Sequence, residues 1–233
     1  MREIVLDTET TGLDPLQGHR LVEVGCIELL NRIPTGATFH SYLNPEREVP
    51  AEAFAIHGLA TEFLKDKPLF ADIADDFLSF IGEAPLVIHN AGFDHGFLIA
   101  ELKRVERPPI ARERLVDTLL LARRKHPAGP NRLDDLCARY GIDNSRRSKH
   151  GALLDAEILA EVYLELIGAR QAQLGLAESG ARRGQGRDGV VVARERDVAL
   201  APRVSEADRA THRKFVATLG ANAVWQDYLP DGA

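Results

Sequence analysis

The chain has 233 residues, of which 45% are hydrophobic, and its formal net charge at pH 7 is −6. This length allows one large domain with an appendage, and the negative charge argues against a protein that binds nucleic acid through a basic surface. No apolar run reaches the roughly 18 residues of a membrane span. The N-terminus lacks a signal-peptide layout and Cys26 and Cys137 lie in apolar patterns, so we expect a cytoplasmic protein without disulfides.

The first part of the chain predicts three strands. Residues 4–6 form an apolar run, and the alternation over residues 21–29 and 36–43 is typical of two further strands. The three strands are expected to pair as a meander.

Strands and helices then alternate. We predict a buried strand over residues 85–90, an extended start followed by a helix over 115–125, and helices over 70–81, 93–104, 133–140 and 153–168. Asn131 followed by Asp134 resembles a capping box for the helix LDDLCARY, and Gly168 is expected to end the last of these helices. The order of elements predicts an α/β domain with a mixed sheet over residues 1–170.

The composition changes after Leu176. Residues 177–203 carry several glycines and many charges with little periodicity, which predicts a flexible linker. Ser205 and Asp208 form a possible cap for a helix that Gly220 would stop. The apolar side chains of the last stretch have no core of their own, so residues 204–233 are expected to bind a partner.

Two carboxylates stand at the end of the first strand. Asp7 and Glu9 are two positions apart, so both point to one face, while Thr8 and Thr10 point to the other. Two like charges in a partly dry site repel each other, which favours a bound cation over a simple strand end. Gly12 would let the chain turn close to a ligand.

Two further stretches carry candidate residues. Asp94 follows a buried strand at a helix start, where it is also a common N-cap, and His89 just before it is equally consistent with a core histidine. Asp155 lies on the apolar stripe of its helix, whereas Glu157 and its neighbours at helical spacing face the opposite side. His150 is expected in the loop before that helix, free to swing over a site that Asp155 helps to build.

Together these acids have no obvious basic partner in the sequence. Carboxylates that cluster without one are typical ligands of Mg²⁺ or Mn²⁺. Two such ions about 3.5–4 Å apart are common in phosphodiester cleavage, and a mobile histidine suits a general base that deprotonates water.

The stretches DTETTG, HNAGFD and HGALLDA resemble, in that order, the three motifs of the histidine-bearing DEDD exonucleases over roughly residues 2–170. The resemblance implies a ribonuclease-H-like fold, a mixed sheet flanked by helices, and removal of nucleotides from 3′ ends. It implies two divalent ions, Mg²⁺ or Mn²⁺, with Asp7 bridging both, Glu9 and Asp155 on the water-activating ion, Asp94 on the other, and His150 as the base.

Residues 54–68, 123–145 and 150–164 also resemble the proofreading exonuclease subunits of bacterial replicative DNA polymerases. That resemblance implies a function in removing mispaired nucleotides from the primer 3′ end. It implies a pocket for the terminal nucleotide formed by Thr10, Leu13, Ile56, His57, His89, Asn90 and Phe93, although ordinary packing is an alternative for each of these residues.

The same resemblance implies two protein partners. Residues 171–176 (QAQLGL), from Gln171 to Leu176, are similar to a segment that binds the sliding clamp, and residues 204–233 are similar to the segment that binds the polymerase subunit. A tether of this kind holds the nuclease near the primer end, so little basic surface is needed. The basic runs at 145–149 and 122–125 either touch phosphates or form a solvated face.

Two other functions remain open. One is an RNA-trimming 3′-exonuclease that uses the same motifs. The other is an assembly module with a nuclease-like fold that no longer cuts. The clamp-like segment and the tail argue against the first, and the complete set of acids with His150 argues against the second.

Overall fold

We describe residues 1–147, 149–169 and 204–219 of a computed structural model of the protein. Five strands form one mixed sheet: β1 (Arg2–Thr10), β2 (Leu21–Leu30), β3 (Ile33–Tyr42), β4 (Leu86–Ile88) and β5 (Leu115–Asp117). The helices are α1 (Ala51–His57), α2 (Thr61–Leu64), α3 (Phe70–Ile81), α4 (Ala91–Arg104), α5 (Thr118–Lys125), α6 (Leu133–Tyr140), α7 (Ala152–Leu166) and α8 (Glu206–Thr218). Two short 3₁₀ turns lie at Pro15–Gln17 and Arg112–Arg114.

The strand order in the sheet is β3-β2-β1-β4-β5. The first three strands pair antiparallel, as the predicted meander requires, and β4 and β5 join β1 in parallel. The mixed α/β architecture expected from the sequence is therefore confirmed. The pattern did not predict α1 and α2, because each is too short to show a helical period.

The two faces of the sheet are covered by different helices. Side chains of β1 alternate between the faces, so Ile4 and Leu6 pack with α3 and α4, whereas Val5 packs with α5, α6 and α7. Each face has its own hydrophobic core, and β1 lies at the centre of both. The C-terminal end of β1 is therefore the place that both layers of helices reach.

Gly25 lets α7 come close to the sheet. It pairs with Asp7 across the β1–β2 ladder, and a Cβ atom at Gly25 would lie 2.3 Å from the backbone nitrogen of Leu153. Only glycine fits such an approach. The first turn of α7 is thereby held next to the end of β1.

The ends of two helices differ in how well the sequence predicted them. Gly168 adopts a left-handed conformation with φ of 69° just beyond α7, as expected for a helix that glycine ends. The predicted capping box at Asn131 and Asp134 is wrong by one residue, because the Asp135 carboxylate accepts the backbone N–H of Arg132 at 3.0 Å. Asn131 instead donates its side-chain amide to the carbonyl of Gly129.

The chain divides into two compact units, Met1–Gly175 and Leu176–Ala233. In the second unit, Ser205 caps α8 in a reciprocal pair with Asp208, as predicted. The predicted clamp-binding segment (171–176), the linker (177–203) and residues 220–233 lie outside the described residues. Within the described residues, no helix combines the length and apolar character that crossing a bilayer requires.

Candidate active site

Two of the predicted carboxylates lie side by side at the end of β1. Asp7 and Glu9 both face α7, and the register of β1 against β2 shifts immediately after Glu9. Such a bulge redirects the strand and is common beside functional sites. Glu9 is buried and Asp7 is half-buried.

Asp94 reaches the same place from the other layer of helices. It lies in the first turn of α4 and is buried, and Asn90 is the N-cap, so the N-cap interpretation of Asp94 is wrong. The Thr8 hydroxyl donates to Oδ1 of Asp94 at 2.7 Å. Thr8 does point away from Asp7 and Glu9, as predicted, and this direction lets it orient the Asp94 carboxylate.

The third group of site residues belongs to α7 and the loop before it. Asp155 is buried in the first turn of α7, and His150 lies in the preceding loop with about half of its side chain exposed. Ligand atoms of Glu9, His150 and Asp155 all lie within 4.8 Å of one another. The backbone N–H of His150 donates to the Ile56 carbonyl at 3.2 Å, which attaches the loop to α1.

Burial and mutual repulsion act on these acids together. Burial raises the pKa of Asp7 well above its usual value, and the charges of Asp94, Glu9 and Asp155 raise it further. Burial, Asp155 and Glu23 raise the pKa of Glu9 to about 8. Burial also raises the pKa of Asp94 to about 7, against the opposing hydrogen bond from Thr8. Burial is the largest cause for all three acids, and for Asp7 and Glu9 the charges of neighbouring acids add to it.

This donor set fits a divalent cation. Oxygen ligands from several carboxylates are what Mg²⁺ and Mn²⁺ prefer. A cation among them would offset the burial and the repulsion that together raise the pKa values of Asp7 and Glu9. Of the four acids that the sequence singled out as metal ligands, Glu9 and Asp155 lie together with His150, and Asp7 and Asp94 are near enough for the charge of Asp94 to raise the pKa of Asp7.

Arg147 contradicts the expectation that the acids lack a basic partner. Its Nε donates to Oδ1 of Asp155 at 2.5 Å and its Nη2 donates to Oδ2 at 2.7 Å. Burial raises the pKa of Asp155, but its interactions with His150 and Arg147 outweigh burial, and the pKa lies below its usual value. Neither reading of the basic run 145–149 anticipated this role. Arg146 does point outward, where it pairs with Glu157 at 3.2 Å.

Glu23 is a second residue that sequence reasoning missed. It is buried on β2 directly opposite Glu9, and its Oε1 lies 2.7 Å from Nε2 of His40. A signal was present, because Glu23 is an acid within the otherwise apolar run LVEVGCI. Its charge contributes to the raised pKa of Glu9.

A pocket of about 540 Å³ opens beside Glu9. Its volume lies within the usual range for ligand pockets. Five of the predicted substrate-binding residues line it, namely Thr10, Leu13, Ile56, His57 and Phe93. Gly12 also lines the pocket. A Cβ atom at Gly12 would lie 2.3 Å from the His19 ring, so glycine is needed here for the loop to pack closely.

His57 presents a polar atom in this pocket. The backbone N–H of Leu59 donates to its Nδ1 at 3.0 Å, so Nε2 carries the proton of the neutral ring. Among the described side chains, Nε2 is a buried atom without a hydrogen-bond partner. Burial lowers the pKa of His57, which keeps the ring neutral. A buried N–H group without a partner is costly unless water or a ligand satisfies it.

The other two predicted substrate-binding residues do not line this pocket. Nδ1 of His89 forms a hydrogen bond of 2.9 Å with the hydroxyl oxygen of Thr118. Asn90 is exposed and caps α4 in a left-handed conformation, with φ of 65°. Burial lowers the pKa of His89, as expected of a core histidine. Their predicted contact with the nucleotide therefore has no support from the pocket.

Comparison with known proteins agrees with this geometry. The family model described as "Exonuclease" (RNase_T) matches residues 4–163. The chain belongs to this exonuclease family. It also belongs to the epsilon-subunit family of DNA polymerase III, because curated members of that family are similar over most of its length, and the resemblance seen in the motifs is confirmed.

Three of these relatives illustrate the similarity, each named DNA polymerase III subunit epsilon. The protein of Rickettsia conorii is 55% identical over 184 residues, which cover 78% of this chain and 80% of the relative. That of Escherichia coli K12 is 49% identical over 192 residues, 79% of each chain. That of Salmonella typhimurium is 45% identical over 240 aligned residues, 97% of each chain.

Solved exonuclease structures share the fold. Exonuclease X in complex with 5′ overhanging duplex DNA has a TM-score of 0.56 at 24% identity and covers 71% of this chain and 91% of its own. The E. coli exonuclease I complex with single-stranded DNA has a TM-score of 0.62 at 21% identity, and the match covers 73% of this chain and 41% of that one. A 3′-exonuclease that recognises a histone mRNA stem-loop has a TM-score of 0.61 at 13% identity, and the match covers 72% of this chain and 64% of that one. At these identities the likeness concerns the fold alone.

Proposed function

We propose that this epsilon-family chain removes mispaired nucleotides from the 3′ end of a DNA primer, as the proofreading exonuclease of the bacterial replicative polymerase. The observation that carries the proposal is the grouping of Glu9, Asp155 and His150 at the end of β1, next to Asp7 and beside a pocket of about 540 Å³. Membership of the epsilon-subunit family supports DNA, rather than RNA, as the substrate.

The proposed pocket receives the terminal nucleotide. Ile56 and Phe93 supply apolar surface for the base and the sugar, and such surface is the usual lining of ligand pockets. Nε2 of His57 is a free donor for an oxygen near the 3′ end. Thr10 and Leu13 would complete the lining, while His89 and Asn90 would act from outside it.

Divalent cations complete the proposed site. Asp7, Glu9, Asp94 and Asp155 would hold two ions, Mg²⁺ or Mn²⁺, with Asp7 shared between them. When bound, such ions neutralise charge on the attacking and leaving oxygens of a phosphodiester. His150 would take the proton of the attacking water, and its place in an exposed loop leaves it within reach of that water.

The protein partners are also part of the proposal. The sliding clamp would bind the segment from Gln171 to Leu176, and the DNA polymerase III alpha subunit would bind residues 204–233. Supporting the second contact, Phe215 in α8 and Leu219 at its C-cap are both exposed and lie four positions apart, which places them on one side of the helix. A replication subunit of this kind would work in the cytoplasm.

The test is metal-dependent release of mononucleotides by the full chain. We expect faster release from a DNA primer with a mispaired 3′ end than from a paired primer or from RNA of the same sequence. The Asp7→Ala variant should lose the activity, because it removes the shared ligand. Asp76→Ala, an exposed acid on α3, is the matched control and should cut at the wild-type rate. Persistent cutting by Asp7→Ala would overturn the site.

The runner-up is an RNA-trimming 3′-exonuclease. The catalytic motifs alone do not distinguish it from a DNA exonuclease, because the same four acids and His150 would serve either substrate. Faster cutting of RNA than of DNA in the same assay would move the function to RNA turnover, with the five catalytic residues unchanged. If wild type and Asp7→Ala released nucleotides equally slowly, the chain would be a non-catalytic assembly module.

A further inference from the structure

Arg147 contacts several residues of the candidate site, and no sequence motif predicted these contacts. It lies in the loop between α6 and α7, and only 7% of its side chain is exposed. Besides its two bonds to Asp155, it donates through Nη1 to Oδ1 of Asp134 at 2.7 Å. Its Nη2 also lies 2.8 Å from Nδ1 of His150. One guanidinium therefore joins two groups of the proposed catalytic machinery.

The contact with Asp155 uses both carboxylate oxygens. Arginine binds a carboxylate through this two-bond fork more strongly than through a single hydrogen bond. A divalent ion held by Asp155 would need at least one of the same oxygens, and its charge has the same sign as that of Arg147. The guanidinium and the ion therefore compete for one ligand.

The contact with His150 restricts the ring. A guanidinium has donors but no acceptor, so Nδ1 of His150 accepts and Nε2 carries the proton of the neutral ring. The 3.4 Å separation between the same Nδ1 and Oδ2 of Asp155 is then a close approach of two acceptors rather than a hydrogen bond. In this arrangement His150 has no free lone pair with which to accept a proton from water.

We propose that Arg147 is a positioning residue that occupies Asp155 and His150 together and releases both when a divalent cation binds. This inference rests on the proposed metal site. Asp134 is the acceptor that keeps Arg147 nearby after release, because Nη1 already bonds to it and about 59% of the Asp134 side chain is exposed. Cation binding at Asp155 and the freeing of the His150 base are then a single event.

The experiment is a Mn²⁺ titration of metal-stripped full-length protein, with melting temperatures measured in chelator and in saturating Mn²⁺. We expect Arg147→Gln to bind Mn²⁺ about tenfold more tightly, since a charge-assisted bond no longer competes. The same variant should melt at a lower temperature in chelator, where the buried Asp155 carboxylate has lost both hydrogen bonds from Arg147. Arg147→Lys keeps the positive charge but cannot form the two-bond contact with Asp155. Its Mn²⁺ affinity and its melting temperature in chelator should lie between those of wild type and Arg147→Gln, and it should still fold.

The matched control is Arg146→Gln, which removes a neighbouring arginine that pairs only with Glu157 in the described contacts. It should match wild type in both measurements. Equal or weaker Mn²⁺ affinity in Arg147→Gln, with the same loss of melting temperature in chelator and in Mn²⁺, would show a merely structural arginine and overturn the inference. If wild type bound no Mn²⁺, or if Asp7→Asn bound it as wild type does, the metal site itself would fail.

Discussion

Neighbouring carboxylates in this site differ because of their partners. The pKa of Glu9 is raised to about 8, since burial and the charges of Asp155 and Glu23 oppose its ionisation. Asp155 is also buried, yet its interactions with His150 and Arg147 hold its pKa below the usual value. The basic neighbours of Asp155 thus favour its charged form, whereas Glu9 has acidic neighbours that oppose its charge.

The raised pKa values predict how stability depends on pH. Glu9 and Asp94 have pKa values of about 8 and about 7 in the folded protein, above their usual 4.5 and 3.8. Between these two sets of values the folded state binds more protons than the unfolded state, so the free energy of unfolding in chelator should fall as the pH rises from about 4.5 to about 8. Urea denaturation at several pH values measures this fall.

One variant tests the predicted dependence of stability on pH, and a second is its control. Glu9→Gln removes one of the titrating groups, so its stability should fall less steeply over the same interval. Glu52→Gln alters an exposed acid on α1 and should keep the wild-type slope. A free energy of unfolding that stays flat or rises with pH in wild type would contradict the raised pKa values.

Individual side chains were predictable where a simple periodicity governs them. The two-residue spacing placed Asp7 and Glu9 on one face, and the helical stripe placed Asp155 inward. Arg147 was not predictable, because a loop has no period and its side chain turns inward only through contacts with Asp155 and Asp134. Periodicity reports which face a side chain occupies but not which partner it finds there.

The packing of α7 on β2 depends on Gly25. Because a Cβ there would meet backbone atoms of Ala152 and Leu153 at 2.4 Å and 2.3 Å, the helix cannot yield by turning a side chain. We expect Gly25→Ala to lower the free energy of unfolding by about 1–3 kcal/mol, in the range of overpacked cores. It should also slow nucleotide release, because Asp155 moves away from Asp7. Denaturant unfolding and the nuclease assay measure the two effects.

Gly92→Ala is the control for that substitution. Gly92 lies in α4, and a Cβ there would meet nothing within 4 Å. Its stability should stay unchanged or rise slightly, since alanine favours a helix over glycine. A Gly25→Ala protein as stable as wild type would show that α7 does not rest on β2 as described.

The secondary structure was predictable where elements are long. The meander of β1, β2 and β3 and the helices α3, α4 and α7 agree with their predicted ranges within a few residues. The short helices α1 and α2 were missed, although α1 contributes Ile56 and His57 to the pocket. Two turns of helix carry too few apolar positions to establish a period.

The whole chain combines a nuclease with a second unit that we propose to bind the polymerase. A truncation ending at Leu176 retains the compact unit Met1–Gly175. We expect it to release mononucleotides at the wild-type rate and to lose binding to the DNA polymerase III alpha subunit. A binding assay with the purified alpha subunit, with the full chain as reference, measures the loss. Unchanged affinity of the truncated protein would place the polymerase contact within the first unit.

The sequence patterns could not predict that the candidate site residues of β1, α4 and α7 lie near one another in the folded chain. Spacing indicated four acids in three stretches of the chain, but it did not show that α4 and α7 approach one strand end from opposite faces. That arrangement depends on strand order, which places β1 between β2 and β4. Only the similarity of the motifs to a known family predicted it.

The arrangement of two cores around one strand also limits how long the site stays assembled. Asp94 is anchored in one core and Asp155 in the other, so a transient local opening of either layer separates the carboxylates. Hydrogen exchange in α4 and in α7 would report the two openings independently. The lifetime of the assembled site is then set by whichever helix opens more often.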